Sequence, residues 1–322
     1  MYFTSYNKQS NASIPKSYHP RSLRQWASSL FYLPTKEVGE HLHMELEIIA
    51  IYCWCDLLLQ HLKVKEDSRA EMSNAEVVTT AIVAVRFFSG NFENARCFLR
   101  EHRYITKMLS KSRLNRRLHA LGYELIRDIQ GVIGELFKAV NPDQEYAIDS
   151  FPVPVCENVR IFHSKIYNNE KYRGYQASKK RYFYGIKVHM LVTVGGLPVE
   201  FIITPGSCAD ISAFKELDLD IPEGSIVYGD KAYTDYEEED LLIDAAGIEL
   251  KPQRRDNAKR RFDKCTEYVI NQQRKIVETV FSGIARLFPK HIHAVTARGF
   301  ELKIALFSCA AGFSTLVSAS LG

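Results

Sequence analysis

The sequence predicts an α/β domain, a mixed sheet with flanking helices, preceded by an all-α domain of helix-turn-helix type. Three observations carry that prediction. Apolar residues recur at helical spacing through residues 41–140. Beyond residue 141 the period shortens and strand-like runs alternate with helical ones. Two of those runs, Tyr146-Ala147-Ile148 and Ser225-Ile226-Val227-Tyr228-Gly229, each end on an aspartate, Asp149 and Asp230.

The 322 residues leave room for two domains of ordinary size. With 46% hydrophobic and 25% charged residues the chain reads as soluble and globular, which excludes disorder as its main state. A net charge of +4 is too small to name a partner, so the clustering of the basic residues matters more than their sum. The seven cysteines are odd in number and scattered, with no Cys-x-x-Cys pair, which points to free thiols in a reducing cytoplasm. Met1 to Pro20 lacks the apolar core of a signal peptide, and a cytoplasmic location is the expectation. The uncharged stretch Ile304 to Gly322 is long enough to span a membrane. Its serines, Thr315 and glycines favour a buried terminal helix instead, so no membrane partner is expected.

In chain order, residues 1–40 read as a loosely ordered arm. Glu40 to Leu62 follows helical spacing. Ser73-Asn74-Ala75-Glu76 is a capping box, opening a helix that ends at the turn Ser89-Gly90-Asn91. A second helix spans Phe92 to Arg100. A third starts near Ser110 and sets Lys111, Arg113, Arg116 and Arg117 against Leu114, Leu118 and Leu121. This is the pattern of a DNA-binding helix-turn-helix, although composition alone supports a solvated cationic face equally well. Asn141-Pro142-Asp143 separates the helical domain, 41–140, from a second domain, 141–322.

The second domain opens with the strand that reaches Asp149. Pro152 and Pro154 follow at once, and because proline cannot donate to a sheet ladder the strand is expected to stop near Asp149. A basic stretch from Arg160 to Arg181, interleaved with Tyr167, Tyr172, Tyr175 and Tyr182, suits either contact with phosphates and bases or an ordinary exposed loop. Tyr184 to Val192 and Leu197 to Thr204 form a hairpin about Gly195-Gly196. Glu237 to Ala246 is a helix closed by Gly247, and Ile248 to Leu250 is a short strand. Lys251 to Lys264 is a second basic segment, and Glu267 to Phe288 is a long helix.

A lone aspartate before two prolines reads as a turn cap. If the strands of Asp149 and Asp230 are parallel neighbours, the two carboxylates emerge together and repel, a situation that a proton or a divalent cation relieves. Glu278 lies at the edge of the apolar stripe of the long helix, one turn after Arg274. Spacing alone favours a surface Arg274–Glu278 pair over a third member of the acidic group.

These residues resemble the DDE transposases of bacterial insertion sequences. The resemblance rests on Ile148-Asp149-Ser150-Phe151-Pro152, Tyr184-Gly185-Ile186-Lys187-Val188-His189, Thr204-Pro205-Gly206 and Ala209-Asp210. It continues through Gly229-Asp230-Lys231-Ala232-Tyr233, Arg274-x-x-x-Glu278 and Arg298-Gly299-Phe300 with Lys303. The insertion-sequence-982 group is the most similar, and the likeness runs from about Ser73 to Phe313. Ala232 stands where the family usually has glycine, and the first forty residues have no counterpart.

The resemblance implies an RNase H-like domain in which Asp149, Asp230 and Glu278 are catalytic and hold two Mg²⁺ ions, with Mn²⁺ able to substitute. It implies cleavage of double-stranded DNA at the terminal inverted repeats of the element and strand transfer into target DNA, by a homodimer or larger assembly. Lys231, Arg274 and Lys303 become candidates for phosphate contacts beside Lys111, Arg113, Arg116 and Arg117. A catalytically inactive copy acting as a DNA-binding repressor is the alternative. A glycosidase-like pairing of Asp149 with Asp230 is disfavoured by the basic segments.

Overall fold

The structure is a computed structural model; it describes residues 40–176, 179–217, 219–289 and 292–321. The expected arm thus lies almost wholly outside the described residues. By contact density the chain divides into a helical unit, up to Val132 with 287–289 and everything from Leu302 on, and a sheet unit, 133–286 with 290–301.

The helical unit contains α1 (Glu40–His61), α2 (Asn74–Phe88) and α3 (Phe92–Glu101). The capping box forms as read: Ser73 Oγ accepts from Glu76 N at 3.1 Å, and Glu76 Oε2 accepts from Ser73 N at 2.8 Å. Ser89 ends α2 in the left-handed conformation, and Asn91 caps α3 through Glu93 N and Asn94 N. α4 (Lys111–Ala139) is broken at Gly122, whose φ of 81° and ψ of 175° are not helical. The terminal helix α8 (Ala297–Leu321) is long and apolar enough to cross a membrane, yet 72% of its most apolar window is buried within the protein. From Leu302 on it clusters with the helices of the first unit. Two contacts show why. Trp54 Nε1 donates to Ser320 Oγ at 3.2 Å, and the Phe307 ring sits where a side chain on Gly90 (φ 78°) would have to go.

The sheet unit is built on six strands: β1 (Glu145–Cys156), β2 (Arg173–Gln176), β3 (Arg181–Thr193), β4 (Pro198–Pro205), β5 (Ile226–Gly229) and β6 (Glu249–Pro252). β1, β3 and β4 form an antiparallel meander; β2 pairs with the amino-terminal end of β3. On the other side of β1, β5 and then β6 run parallel to it. Three helices connect or flank these strands: α5 (Asp210–Lys215), α6 (Tyr236–Ala246) and α7 (Lys264–Leu287). An antiparallel meander extended by parallel strands fits an RNase H-like domain. Its core gathers Tyr146, Ile148, Leu191, Val227, Leu250 and, from the helical connections, Phe214 and Tyr233.

The expected stop of β1 at Asp149 is not what happens. Pairing with β3 runs on through Val153↔Ile186 and Pro154↔Gly185. The reason lies in which way the backbone groups face. Glu145 O accepts from Val194 N beyond β3, whereas Gln144 O accepts from Ile226 N on the β5 side. Odd-numbered residues of β1 therefore bond to β3 and even-numbered ones face β5. β5 ends at Gly229, so the missing N–H groups of Pro152 and Pro154 point at a free edge, where proline costs no ladder bond. Gly185 allows the close approach, since a Cβ there would fall 2.3 Å from Val153 O.

Candidate active site

The register of β1 on β5 sets the geometry. Glu145, Tyr146 and Ala147 pair with Ile226, Val227 and Tyr228. Two residues further along each strand stand Asp149 and Asp230, level with one another. β5 ends there because Asp230 caps the short 3-10 turn Lys231–Tyr233, its Oδ1 accepting from Ala232 N at 2.7 Å. That bond needs only the backbone N–H of Ala232, which an alanine supplies as well as a glycine. Asp149 Oδ1 accepts from Ser150 N at 2.7 Å.

Both carboxylates are held toward the protonated form. Burial pushes Asp149 up to about 6, and the charges of Asp230 and Asp210 add to it, while the Ser150 N–H and Arg274 oppose it. Burial raises Asp230 as well, reinforced by Asp210 and opposed by the Ala232 N–H, Arg274 and Lys187. The Tyr233 hydroxyl is raised by burial and then by the three surrounding aspartates. A divalent cation fits this donor set: two hard oxygen ligands lie side by side, and a positive charge would relieve the repulsion that burial intensifies.

Asp210, at the start of α5, was not among the residues expected here. Its Oδ1 accepts from Lys187 Nζ at 2.9 Å and from Ser150 Oγ at 3.2 Å. His189 is fully buried, its Nε2 2.9 Å from Thr204 Oγ1 and its Nδ1 3.5 Å from the Tyr233 hydroxyl. Burial lowers His189 to about 4 against the pull of Asp210, so the imidazole is neutral at pH 7. One signal in the sequence was available. Lys187 and His189 are two polar residues on one face of an otherwise apolar strand, and Ser150 is the register partner of His189.

Glu278 is placed differently. Its side chain is 63% exposed and lies 3.5 Å from Arg274 Nη2, which makes it the surface pair that spacing favoured. α7 nevertheless runs beside β1. Gln273 Nε2 donates to Glu145 Oε2 at 3.2 Å, and the Phe281 ring meets Phe151 edge-on with centroids 5.8 Å apart. Glu278 falls between these contacts on the helix, as Asp149 does on the strand. Arg274 is fixed by Gln253 Oε1 at 2.6 Å, and its charge acts on both aspartates. Among the described residues, no three carboxylate, histidine or cysteine side chains converge as a metal cage.

The cationic candidates also separate. Lys111 and Arg116 are exposed on the first turns of α4, and Arg113 is exposed beside Glu71 at 3.5 Å. Arg117 donates to Asn74 Oδ1 at 2.8 Å and so ties α4 to α2. Lys231 is exposed next to Asp230. Lys303 lies in the helical unit with its ammonium 5.6 Å from the Phe92 ring centroid.

Two arginines of the second basic segment are paired with carboxylates of α6. Arg254 is paired through both terminal guanidinium nitrogens with the buried Glu239 and stacks on Phe262 at 4.6 Å, and Arg260 binds Asp240. In the first basic stretch Tyr167 is core, its hydroxyl donating to Glu301 Oε1 at 2.8 Å. Tyr175 and Tyr182 form an exposed cross-strand pair.

Comparison with known families adds one match. Residues 140–292 match the family model described as a transposase DDE domain. No match was found among curated proteins or among solved structures. The match covers the strands and the helix that carry Asp149, Asp230, Arg274 and Glu278, and the chain therefore carries a DDE-type transposase domain over that span.

Proposed function

We propose that the protein is the DNA transposase of an insertion sequence, of the insertion-sequence-982 group. It binds the terminal inverted repeats of its element and catalyses metal-dependent cleavage and strand transfer. The observation that supports this best is the register that sets Asp149, within β1, beside Asp230 at the end of the adjacent parallel strand β5, inside the span that matches the DDE domain. Asp149 and Asp230 would hold Mg²⁺, two ions with Glu278 as third ligand, or Mn²⁺ in its place. When bound, these ions supply Lewis-acid activation of a water or 3′-hydroxyl and neutralisation of the leaving oxygen.

The chain's own residues do the rest. Arg274 and Lys231 flank the acids and meet the phosphates on either side of the scissile bond. The Ser150 and Ala232 N–H groups hold one oxygen of each aspartate, which leaves the other oxygen of each for the cation. Glu278 reaches the acids only by releasing Arg274, an exposed contact worth at most about 0.5 kcal/mol. Lys111, Arg113 and Arg116 on α4 supply the DNA-binding face, and pairing of two element ends calls for at least a homodimer.

The test is incubation of the full chain with plasmid carrying the DNA that flanks its gene, with Mg²⁺ or Mn²⁺. Nicks at the element ends, lost in Asp149→Ala and Asp230→Ala while band-shift binding persists, are expected. Binding without any nicking by the wild type would instead favour the repressor.

A further inference from the structure

The geometry points to Lys187 and Asp210 as the positioning pair of the acidic site, fixing the Asp149 carboxylate through Ser150. This rests on the reading of Asp149 and Asp230 as cation ligands and names the residues that hold them in place.

The contacts form one chain across three elements. Lys187 on β3 places its ammonium 2.9 Å from Asp210 Oδ1 and 2.8 Å from the carbonyl oxygen of Cys208. It thereby fastens the end of the β4–α5 connection to the sheet. The same Asp210 oxygen accepts from Ser150 Oγ at 3.2 Å. The Ser150 N–H in turn donates to Asp149 Oδ1 at 2.7 Å.

The Lys187 and Asp210 side chains are only 15% and 18% exposed, so the pair is shielded from the solvent that makes surface ion pairs weak. Charge explains why a cation belongs here. Asp149, Asp210 and Asp230 all act on one another or on Tyr233, and unopposed they would drive the segments that carry them apart. Lys187 cannot itself bind a metal ion. Its contribution is to keep Asp210 against Ser150 and, through Ser150, the orientation of Asp149.

A purely electrostatic role predicts the opposite outcome, because removing a positive charge beside two carboxylates tightens cation binding. The experiment uses the full chain without DNA, titrated with Mn²⁺ and read by the loss of the free-ion paramagnetic resonance signal; circular dichroism confirms folding. The wild type should bind and Asp149→Asn should not. Lys187→Met and Ser150→Ala should each weaken binding by about tenfold, the usual effect of losing an outer-shell partner. The double variant should bind no more weakly than the worse single variant, because both act along one path. Ser150→Thr, which keeps the hydroxyl, should restore binding.

If Lys187→Met fails to fold, Ser150→Ala against Ser150→Thr carries the same test. Wild-type or tighter binding by folded Lys187→Met, or unchanged binding by Ser150→Ala, overturns the positioning role while leaving the site intact. Absent binding by the wild type, or equal binding by Asp149→Asn, overturns the cation site and this inference with it.

Discussion

Asp149 and Asp230 stand level with one another, Asp149 within β1 and Asp230 just past the end of β5, because the parallel pairing of Ala147 with Tyr228 carries both chains two residues further in step. The sheet holds Asp149 and the Ala232 N–H holds Asp230, so their repulsion is relieved by a proton or a cation.

Burial of Asp149, with that repulsion added to it, gives a pH-dependent stability. The folded-state pKa of Asp149 is raised to about 6 from an ordinary 3.8, so between those values the native state binds the proton that the unfolded chain releases. Asp149 therefore costs stability above pH 6 and costs nothing below about pH 4. Metal-free Asp149→Asn should be more stable than the wild type at pH 8 by on the order of 2 kcal/mol, the gain vanishing toward pH 4. Urea unfolding at the two pH values measures it. His189, depressed to about 4, has the opposite slope in nearly the same window, so the comparison must be with the variant and not with the wild-type profile alone.

The exposed position of Glu278 separates its stability effect from its chemistry. Glu278→Gln should change unfolding free energy by less than about 0.5 kcal/mol, the scale of an exposed helix pair. Cleavage of end-containing DNA should nonetheless fall by at least about a hundredfold if Glu278 is the third acid. Wild-type cleavage by this variant would remove it from the site.

The Arg254–Glu239 pair is shielded on both sides, with side chains 3% and 8% exposed. Arg254→Met leaves Glu239 buried without its partner and should cost about 3–5 kcal/mol. The double variant Arg254→Met with Glu239→Leu should recover most of that loss in thermal unfolding.

The two faces of β1 predict a contrast at neighbouring residues. Val153→Pro removes an N–H on the side that bonds to β3 and should destabilise by about 3 kcal/mol. Pro154→Val adds an N–H at the free edge and should be near neutral. Equal effects in urea unfolding would contradict the assigned facing.

On the helical unit, Lys111→Ala and Arg116→Ala should each weaken DNA binding and lower the slope of log affinity against log salt by about 1, as loss of one phosphate contact does. Arg117→Ala should act mainly on stability, through its bond to Asn74. Fluorescence anisotropy at several salt concentrations distinguishes them.

What could be read from the sequence was local. The Ser73 capping box, the Gly247 stop of α6 and the strand end at Asp230 depend on residues within one turn of each other, and they stand where the pattern put them. Mistaken or missing readings depend on partners far along the chain. Whether Pro152 and Pro154 end a strand depends on which edge is free, which the end of β5 decides. Ser150 meets Asp210 60 residues away and Lys187 meets it at 23, so neither contact leaves a periodicity to detect. Arg254 looked like part of a free basic run because the glutamate that neutralises it sits on the preceding helix.

The central claim, that Asp149 and Asp230 together hold the cation that cuts DNA, is tested most directly by changing the ligand atom. A thiolate at position 230 binds Mg²⁺ poorly and accepts softer ions better. With plasmid carrying the element ends, the wild type should nick in Mg²⁺ and in Mn²⁺, whereas Asp230→Cys should be silent in Mg²⁺ and regain measurable nicking in Mn²⁺. Nicking by Asp230→Cys in Mg²⁺ at the wild-type rate would show that this carboxylate does not hold the metal.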